Sequence, residues 1–289
     1  MEEVTMRMAG LFVVAACTGT ASPVLTSVAS PLHRGATAIA VGGAMACALN
    51  RDGSMACWGD TTYNDTVALD GSFTQIAMAA TYVCGLHGDG SAACSRDDVL
   101  PPAGGFTKLS AGPANSTCGL RFDGTVACWF PDWWQKSAPA TDVFVDISNG
   151  GKFGCGLHSS GTATCWGGAN VPAVPLGAFV SIDANSLCAI RSTGRLECWD
   201  LDPVFSPPPA ASFRAVDNEC GIEQDGTLAC WGWLVSRHPE LARPLPGRFT
   251  ALGVSQFFDN VHANDFNLCA LSDDGAIECI GSEVPAAVP

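Results

Sequence analysis

Seven times along this chain of 289 residues a cysteine is followed, ten positions later, by a second one, with a turn-forming glycine between them. The pairs are Cys47/Cys57, Cys84/Cys94, Cys118/Cys128, Cys155/Cys165, Cys188/Cys198, Cys220/Cys230 and Cys269/Cys279. An invariant short spacing inside a longer, variable period marks a repeated supersecondary unit. The first cysteines stand 37, 34, 37, 33, 32 and 49 residues apart, room for three or four short strands per unit.

Turn chemistry sets the register of each unit. In Cys47-Ala-Leu-Asn-Arg-Asp-Gly-Ser-Met-Ala-Cys57, Gly53 tolerates the positive φ that hairpin turns require, and Asp52 suits a type I turn closed by a G1 bulge. With residues 51–53 as the loop, Leu49 faces Met55 and Cys47 faces Cys57. That places the cysteines in a non-hydrogen-bonded cross-strand pair, where side chains lie closest and a disulfide can close. One disulfide is therefore expected within each hairpin. The turn recurs as Asp89-Gly90, Asp123-Gly124, Asp225-Gly226 and Asp274-Gly275, and in weaker form as Ser160-Gly161 and Thr193-Gly194. These aspartates belong to separate repeats, so a turn role is expected of them rather than calcium binding.

Two residues after each first cysteine comes a large aliphatic: Leu49, Leu86, Leu120, Leu157, Ile190, Ile222 and Leu271. The cysteines share that face. The residue between is always alanine or glycine, which implies that another sheet lies close against that second face. A third strand is visible upstream, beginning at Phe73, Phe106, Phe144, Phe179 and Phe213, with Ala36 in the same place in the first repeat. In the last repeat Phe258 has the preferred offset from Cys269, which makes residues 236–257 a long connection rather than a strand. Pro-rich joints such as Pro207-Pro-Pro209 separate the units, because proline is excluded from central strands. No helix-period stretch competes after residue 36. Seven similar units without polar caps predict an all-β, seven-bladed β-propeller of three- to four-stranded blades over residues 36–289.

Composition narrows the compartment. Fifteen cysteines, fourteen of them in pairs, suit an oxidising environment, and no close zinc-type cysteine spacing occurs among the pairs. Fourteen basic against 28 acidic residues give a net charge of −14, with no Lys/Arg footprint for nucleic acid. The unpaired cysteine is Cys17. It follows a short apolar stretch, Ala9 to Ala16, of signal-peptide proportions. Val14-Ala15-Ala16-Cys17 resembles a bacterial lipobox, whose cysteine is lipidated, and a start at Met6 would replace the acidic Glu2 and Glu3 by a basic leader. Residues 18–35, rich in Thr, Ser, Ala and Pro, read as a flexible tether. The expected location is the bacterial cell envelope, outside the cytoplasm, with membrane contact only through the lipid anchor.

The pattern Cys-Ala-Leu-x-x-Asp-Gly-x-x-x-Cys-Trp-Gly, clearest at 45–59, 153–167 and 218–232, resembles the regulator of chromosome condensation (RCC-type) repeat. Trp58, Trp129, Trp166, Trp199 and Trp231 carry the tryptophan of that signature. The resemblance covers about residues 36–289 and implies a seven-bladed propeller used for protein–protein recognition. It is similar to cysteine-rich variants on secreted and surface proteins of bacteria. The Gly-Gln-Leu-Gly stretch of the family is absent, and nothing matches its nucleotide-exchange loop or its basic tail, so exchange activity does not transfer.

No nucleophile elbow, phosphate loop or His-Glu-x-x-His helix is present, and the five histidines are scattered. His87 and His158 hold matching positions in their hairpins, which suggests a surface role. The chain is read as non-catalytic, without cofactor or metal. Two segments break the repeat, and such insertions usually carry function. Trp129-Phe-Pro-Asp-Trp-Trp134 puts four aromatics in six residues, with Trp133 and Trp134 the binding candidates and Trp129 equally suited to the blade core. The connection after the sixth repeat carries Trp233, Arg237, Arg243 and Arg248, residue types typical of interface anchors, and could otherwise be a floppy surface loop. The expected function is recognition of a protein or glycan partner. An envelope hydrolase or lyase at the propeller mouth, or an inhibitor of another enzyme, are the alternatives.

Overall fold

The computed structural model describes residues 26–27, 35–59, 68–129, 138–151, 153–167, 171, 173–199, 206–256 and 266–281. They form seven antiparallel sheets, each with an inner, a middle and an outer strand in chain order. Blade 1 comprises Ala36–Gly42, Met45–Asn50 and Met55–Gly59; blade 2 Gln75–Met78, Val83–Leu86 and Ala92–Cys94. Blade 3 comprises Phe106–Gly112, Ser116–Arg121 and Val126–Trp129; blade 4 Asp146–Asn149, Phe153–Leu157 and Ala163–Gly167. Blade 5 comprises Phe179–Asp183, Cys188–Arg191 and Leu196–Cys198; blade 6 Phe213–Asp217, Cys220–Glu223 and Leu228–Cys230. Blade 7 comprises Phe249–Gln256, Phe266–Ser272 and Ile277–Gly281, and Thr26–Ser27 adds a fourth strand at its outer edge, opposite Cys279 and Glu278. Each inner strand touches the next, and the last touches the first, so the seven sheets close into a propeller.

The hairpins have the expected register. Leu49 pairs with Met55 and Cys47 with Cys57. Disulfides close within the hairpins as Cys47–Cys57, Cys84–Cys94, Cys118–Cys128 and Cys155–Cys165. Cys188–Cys198, Cys220–Cys230 and Cys269–Cys279 complete the set, and all seven have Cα separations of 4.0–4.1 Å. The cysteines share the face of the aliphatic residues, but unequally. Every first cysteine, on a middle strand, is buried. Cys57, Cys94, Cys128, Cys165 and Cys198, on outer strands, are only partly buried, because outer strands lie toward the rim. In blade 4, for example, Cys155 is wholly enclosed in the seam with blade 5, while Cys165 packs against that seam from its edge.

Gly53 takes φ +86°, where a side chain would strain the backbone. Asp52 accepts the Ser54 amide at 2.9 Å and its hydroxyl at 2.7 Å, and the hydroxyl bond above all lowers the carboxyl pKa. The same acceptor role falls to Asp89, Asp123, Asp225 and Asp274. The aspartates are turn residues.

The small residue between cysteine and aliphatic has a more local cause than a neighbouring sheet. In blades 2, 3, 4 and 6, where it is glycine, the phenylalanine at the start of the blade folds its ring over it, inside the same blade. A Cβ at Gly85, Gly119, Gly156 or Gly221 would stand 2.3–2.7 Å from the rings of Phe73, Phe106, Phe144 and Phe213 respectively. The preceding blade packs against the far side of this ring. The Cys/Leu face of each blade packs on the Phe/Ile face of the following one, so the core consists of seven seams. Cys118 and Leu120 meet Phe144 and Ile147, for instance, and Cys269 and Leu271 meet Ala36 and Ile39 to close the ring. The remaining five seams repeat the arrangement. Six backbone bonds stitch the seams: the turn glycines 53, 90, 124, 161, 194 and 226 accept the amide of the phenylalanine that begins the next blade, at 2.7–3.1 Å.

Two expectations about the last repeat are corrected. Its inner strand begins at Phe249, whose amide bonds to the Gly226 carbonyl like every other such phenylalanine; Phe258 lies outside the described residues. Offset from the cysteine misleads here because blade 7 carries extra residues between its inner and middle strands. The connection before it contains a six-residue helix, Gly232–Arg237, and a 3-10 turn, Pro239–Ala242, where no helix was expected. Six residues are too few to show a helical period in sequence.

Candidate functional site

The innermost strands converge on a channel, and one end of it opens into a cavity of about 200 Å³ lined by residues from all seven blades. Ile39, Val41, Met78 and Leu109 give it an apolar wall on blades 1–3, while Ser148, Asn149, Asp183 and Asp217 make the wall on blades 4–6 polar. Register explains the asymmetry. The inner-strand residue opposite the first cysteine is Ala40, Ala77, Ser110, Ser148, Asp183, Asp217 and Gly253 in blades 1 to 7. Where that residue is polar it reaches the next blade. Ser110 accepts the Asn149 amide at 2.8 Å, Ser148 accepts the Ala184 amide at 2.9 Å, and Asp217 accepts the Val254 amide at 2.8 Å. The Asn218 amide of blade 6 favours the ionised form of Asp183.

Asp183 is buried and also accepts the Ser186 amide at 2.9 Å and its hydroxyl. Burial raises its pKa. Burial, and then the charge of Asp183, push Asp217 up to about 7. A buried carboxylate flanked by another disfavours its own ionisation. Sequence reasoning nominated no such pair, because the inner-to-middle turns differ in length. Asp217 stands three residues before its cysteine and Ser110 eight before its own, so the equivalence is invisible without strand pairing.

The connection between blades 6 and 7 is the second site, and it is not a floppy loop. Leu234, Leu241 and Leu245 are buried in the seam between those blades. Glu219, in the turn after the blade 6 inner strand, accepts the Trp233 amide at 3.0 Å and the Leu234 amide at 2.6 Å, capping the helix. His238 stacks on Phe266 at 4.2 Å. On this anchored piece Trp233 is partly exposed, with the exposed Arg237 guanidinium 5.4 Å over its ring. Arg243 is exposed beyond the 3-10 turn, whereas Arg248 is paired with Asp273 at 2.6 Å.

The other candidates separate cleanly. Trp129 is buried, 5.5 Å from Phe106, and belongs to the blade core. Cys165, beside the buried Trp166, is structural too, since its sulfur is bonded to that of Cys155. His87 and His158 lie on Phe73 and Phe144 at 4.6 and 4.8 Å, each with Nδ1 bonded to the carbonyl that precedes the phenylalanine. Arg121 and Arg191 cover Phe106 and Phe179 in the same way. Those positions are lids on the phenylalanine. Trp133, Trp134 and Cys17 lie outside the described residues. No helix among the described residues is long and apolar enough to cross a membrane.

The chain matches no protein-family model and no curated protein sequence. Among solved structures it is similar to the entire ectodomain of the receptor kinase CR4 from Physcomitrella patens, 24% identical over 87% of this chain and 73% of that one, with a TM-score of 0.63. It is also similar to the CRINKLY WD40 ectodomain of the Arabidopsis thaliana receptor kinase ACR4, 28% identical over 46% of this chain, with a TM-score of 0.40; this chain spans about half of that one, 52%. Yeast RCC1 (Prp20), solved bound to Kap60, is 15% identical over 84% of this chain and 69% of that one, with a TM-score of 0.49. The CR4 likeness supports the propeller fold, and the fold alone.

Proposed function

We propose that this chain is a surface-anchored, non-catalytic binding module that recognises a protein or glycan partner, with Trp233 and Arg237 as its anchors and Arg243 beside them. The observation that carries the reading is the Trp233–Arg237 stack, held out on a helix whose base is buried and capped. Trp and Arg dominate interface energetics, and a rigid support lowers the entropy cost of ordering them on binding. Trp133 and Trp134 would extend the contact from blade 3. RCC-type repeat ancestry, suggested by the Cys-Ala-Leu and Cys-Trp-Gly signatures, belongs to the same proposal. So does the placement: seven disulfides suit an oxidising compartment, and a lipidated Cys17 followed by a tether ahead of the edge strand Thr26–Ser27 would hold the propeller at the envelope surface. Replacing Trp233 and Arg237 together by alanine is expected to abolish capture of the partner from envelope extract while thermal unfolding stays unchanged. Undiminished capture by that variant overturns the assignment.

One observation favours the alternative of an envelope hydrolase or lyase: Asp183 and Asp217 meet at the channel cavity with raised pKa values. Asp217, however, is engaged by a backbone amide of the next blade, a task that serine performs in blades 3 and 4, and Asp183 by the Ser186 amide and hydroxyl of its own turn. The binding reading stands first.

A further inference from the structure

We propose that Asp183 and Asp217 form a proton-dependent latch across the seams joining blades 5, 6 and 7, tight while the pair retains a proton and loosened when both carboxyls ionise. The two side chains occupy the same register position on adjacent inner strands; Asp217 holds the first amide beyond that position in the following blade, Val254, and the corresponding amide beside Asp183, Asn218, favours its ionised form. Ser110 and Ser148 hold Asn149 and Ala184 identically, so the bond itself needs no carboxylate. What the aspartates add is charge, placed twice along one cavity wall, on the buried Asp183 and the partly buried Asp217.

Among the described residues neither carboxylate has an ion-pair partner. The charged groups on the strands packed against the pair are Asp146, Arg191, Arg214 and Glu223, with Glu219 in the turn after Asp217. Arg191 and Glu223 pair with Phe179 and Phe213, at the hairpin ends of strands whose other ends carry the aspartates, and Arg214 follows Phe213 there. Asp146 is matched with Lys108, and Glu219 is occupied by the helix amides. Two like charges in such a site disfavour joint ionisation.

The sign follows from linkage. Both folded values stand above the ordinary aspartate value of 3.8, and Asp217 reaches about 7. Stability contributed by the pair is therefore complete below about pH 4 and is lost as pH climbs through about 7. The channel end is tightest in acid.

Amide exchange on the intact protein, corrected for intrinsic rates, tests this. From pH 5 to pH 8 protection of Asn218 and Val254 is expected to fall on the order of tenfold, the equivalent of one unit of pKa, while Asn149 and Ala184, held by serines, keep theirs. Equal behaviour of all four amides overturns the proposal. In the D183S/D217S variant the difference should vanish and the thermal midpoint at pH 8 should match or exceed that of the wild type. A folded variant that retains the wild-type pH dependence overturns it too, and if the variant does not fold, the wild-type exchange alone decides.

Discussion

The ring of Phe144 fills the space that a side chain on Gly156 would occupy: a Cβ there would stand 2.3 Å from the ring. The same phenylalanine is tied through its amide to the Gly124 carbonyl of the preceding blade at 2.8 Å. One residue thus closes its own sheet and joins the sheet before it, and the fold repeats that device with Phe73, Phe106 and Phe213 in blades 2, 3 and 6.

Removing either half of this pair should be costly, and removing both less than additive. Phe144→Ala is expected to lose about 3–5 kcal/mol, as for other buried aromatics, and Gly156→Ala about 1–3 kcal/mol by overpacking. In the double variant the new methyl occupies space the ring has left, so the two losses should not sum. Chemical denaturation of the four proteins measures the coupling; strict additivity would mean that ring and glycine do not share the space.

The disulfides span hairpins that the turn already organises. Replacing Cys118 and Cys128 together by alanine should cost at most about 2.8 kcal/mol on the chain-entropy model for an eleven-residue loop. The variant should remain a folded propeller with a lowered thermal midpoint. A chain unfolded at room temperature after loss of this one bridge would show that the hairpin depends on it.

Tyr82 provides a pH signature in the alkaline range. Its hydroxyl lies 3.0 Å from that of Thr117 and donates to the Asn115 carbonyl at 3.1 Å, linking blades 2 and 3. Burial pushes its phenol up to about 12, above the ordinary value of 10.0. The stability it contributes is complete below about pH 10 and is lost as pH rises through about 12. Ultraviolet titration should show one of the chain's two tyrosines ionising near pH 12. Tyr82→Phe should remove that step, and persistence of the step would refute the assignment.

Strand pairing within a hairpin was readable because the turn lies close in sequence. Gly53 and Asp52 specify the loop, and counting outward pairs Cys47 with Cys57 without reference to any other blade. The weaker Ser160-Gly161 turn suffices equally to set Cys155 opposite Cys165. How deeply each sulfur is buried was not readable, because Cys165 and its counterparts owe their partial exposure to the position of the outer strand in the ring. The same local logic failed at the seventh repeat. Phe249 and Cys269 belong to one sheet across an insertion of unpredictable length, so counting back from the cysteine reached Phe258 instead. The binding candidates divide similarly. Trp233 and Arg237 stand out by composition, but that Glu219 caps their helix is a relation between blade 6 and the connection that follows it.

By itself, then, the chain determined what one unit is: a disulfide-closed hairpin with an upstream strand, repeated seven times. These features depend on alternation, turn residues and spacing over about a dozen positions. Only the tertiary structure decided which residues meet between units. Asp183 and Asp217 are separated by 34 residues and stand at different distances from their cysteines, yet closing the ring brings them to one register and one cavity. The reason is physical: inner strands approach because seven separate seams each bury apolar surface, and what lies along the channel follows from that closure rather than from any local preference.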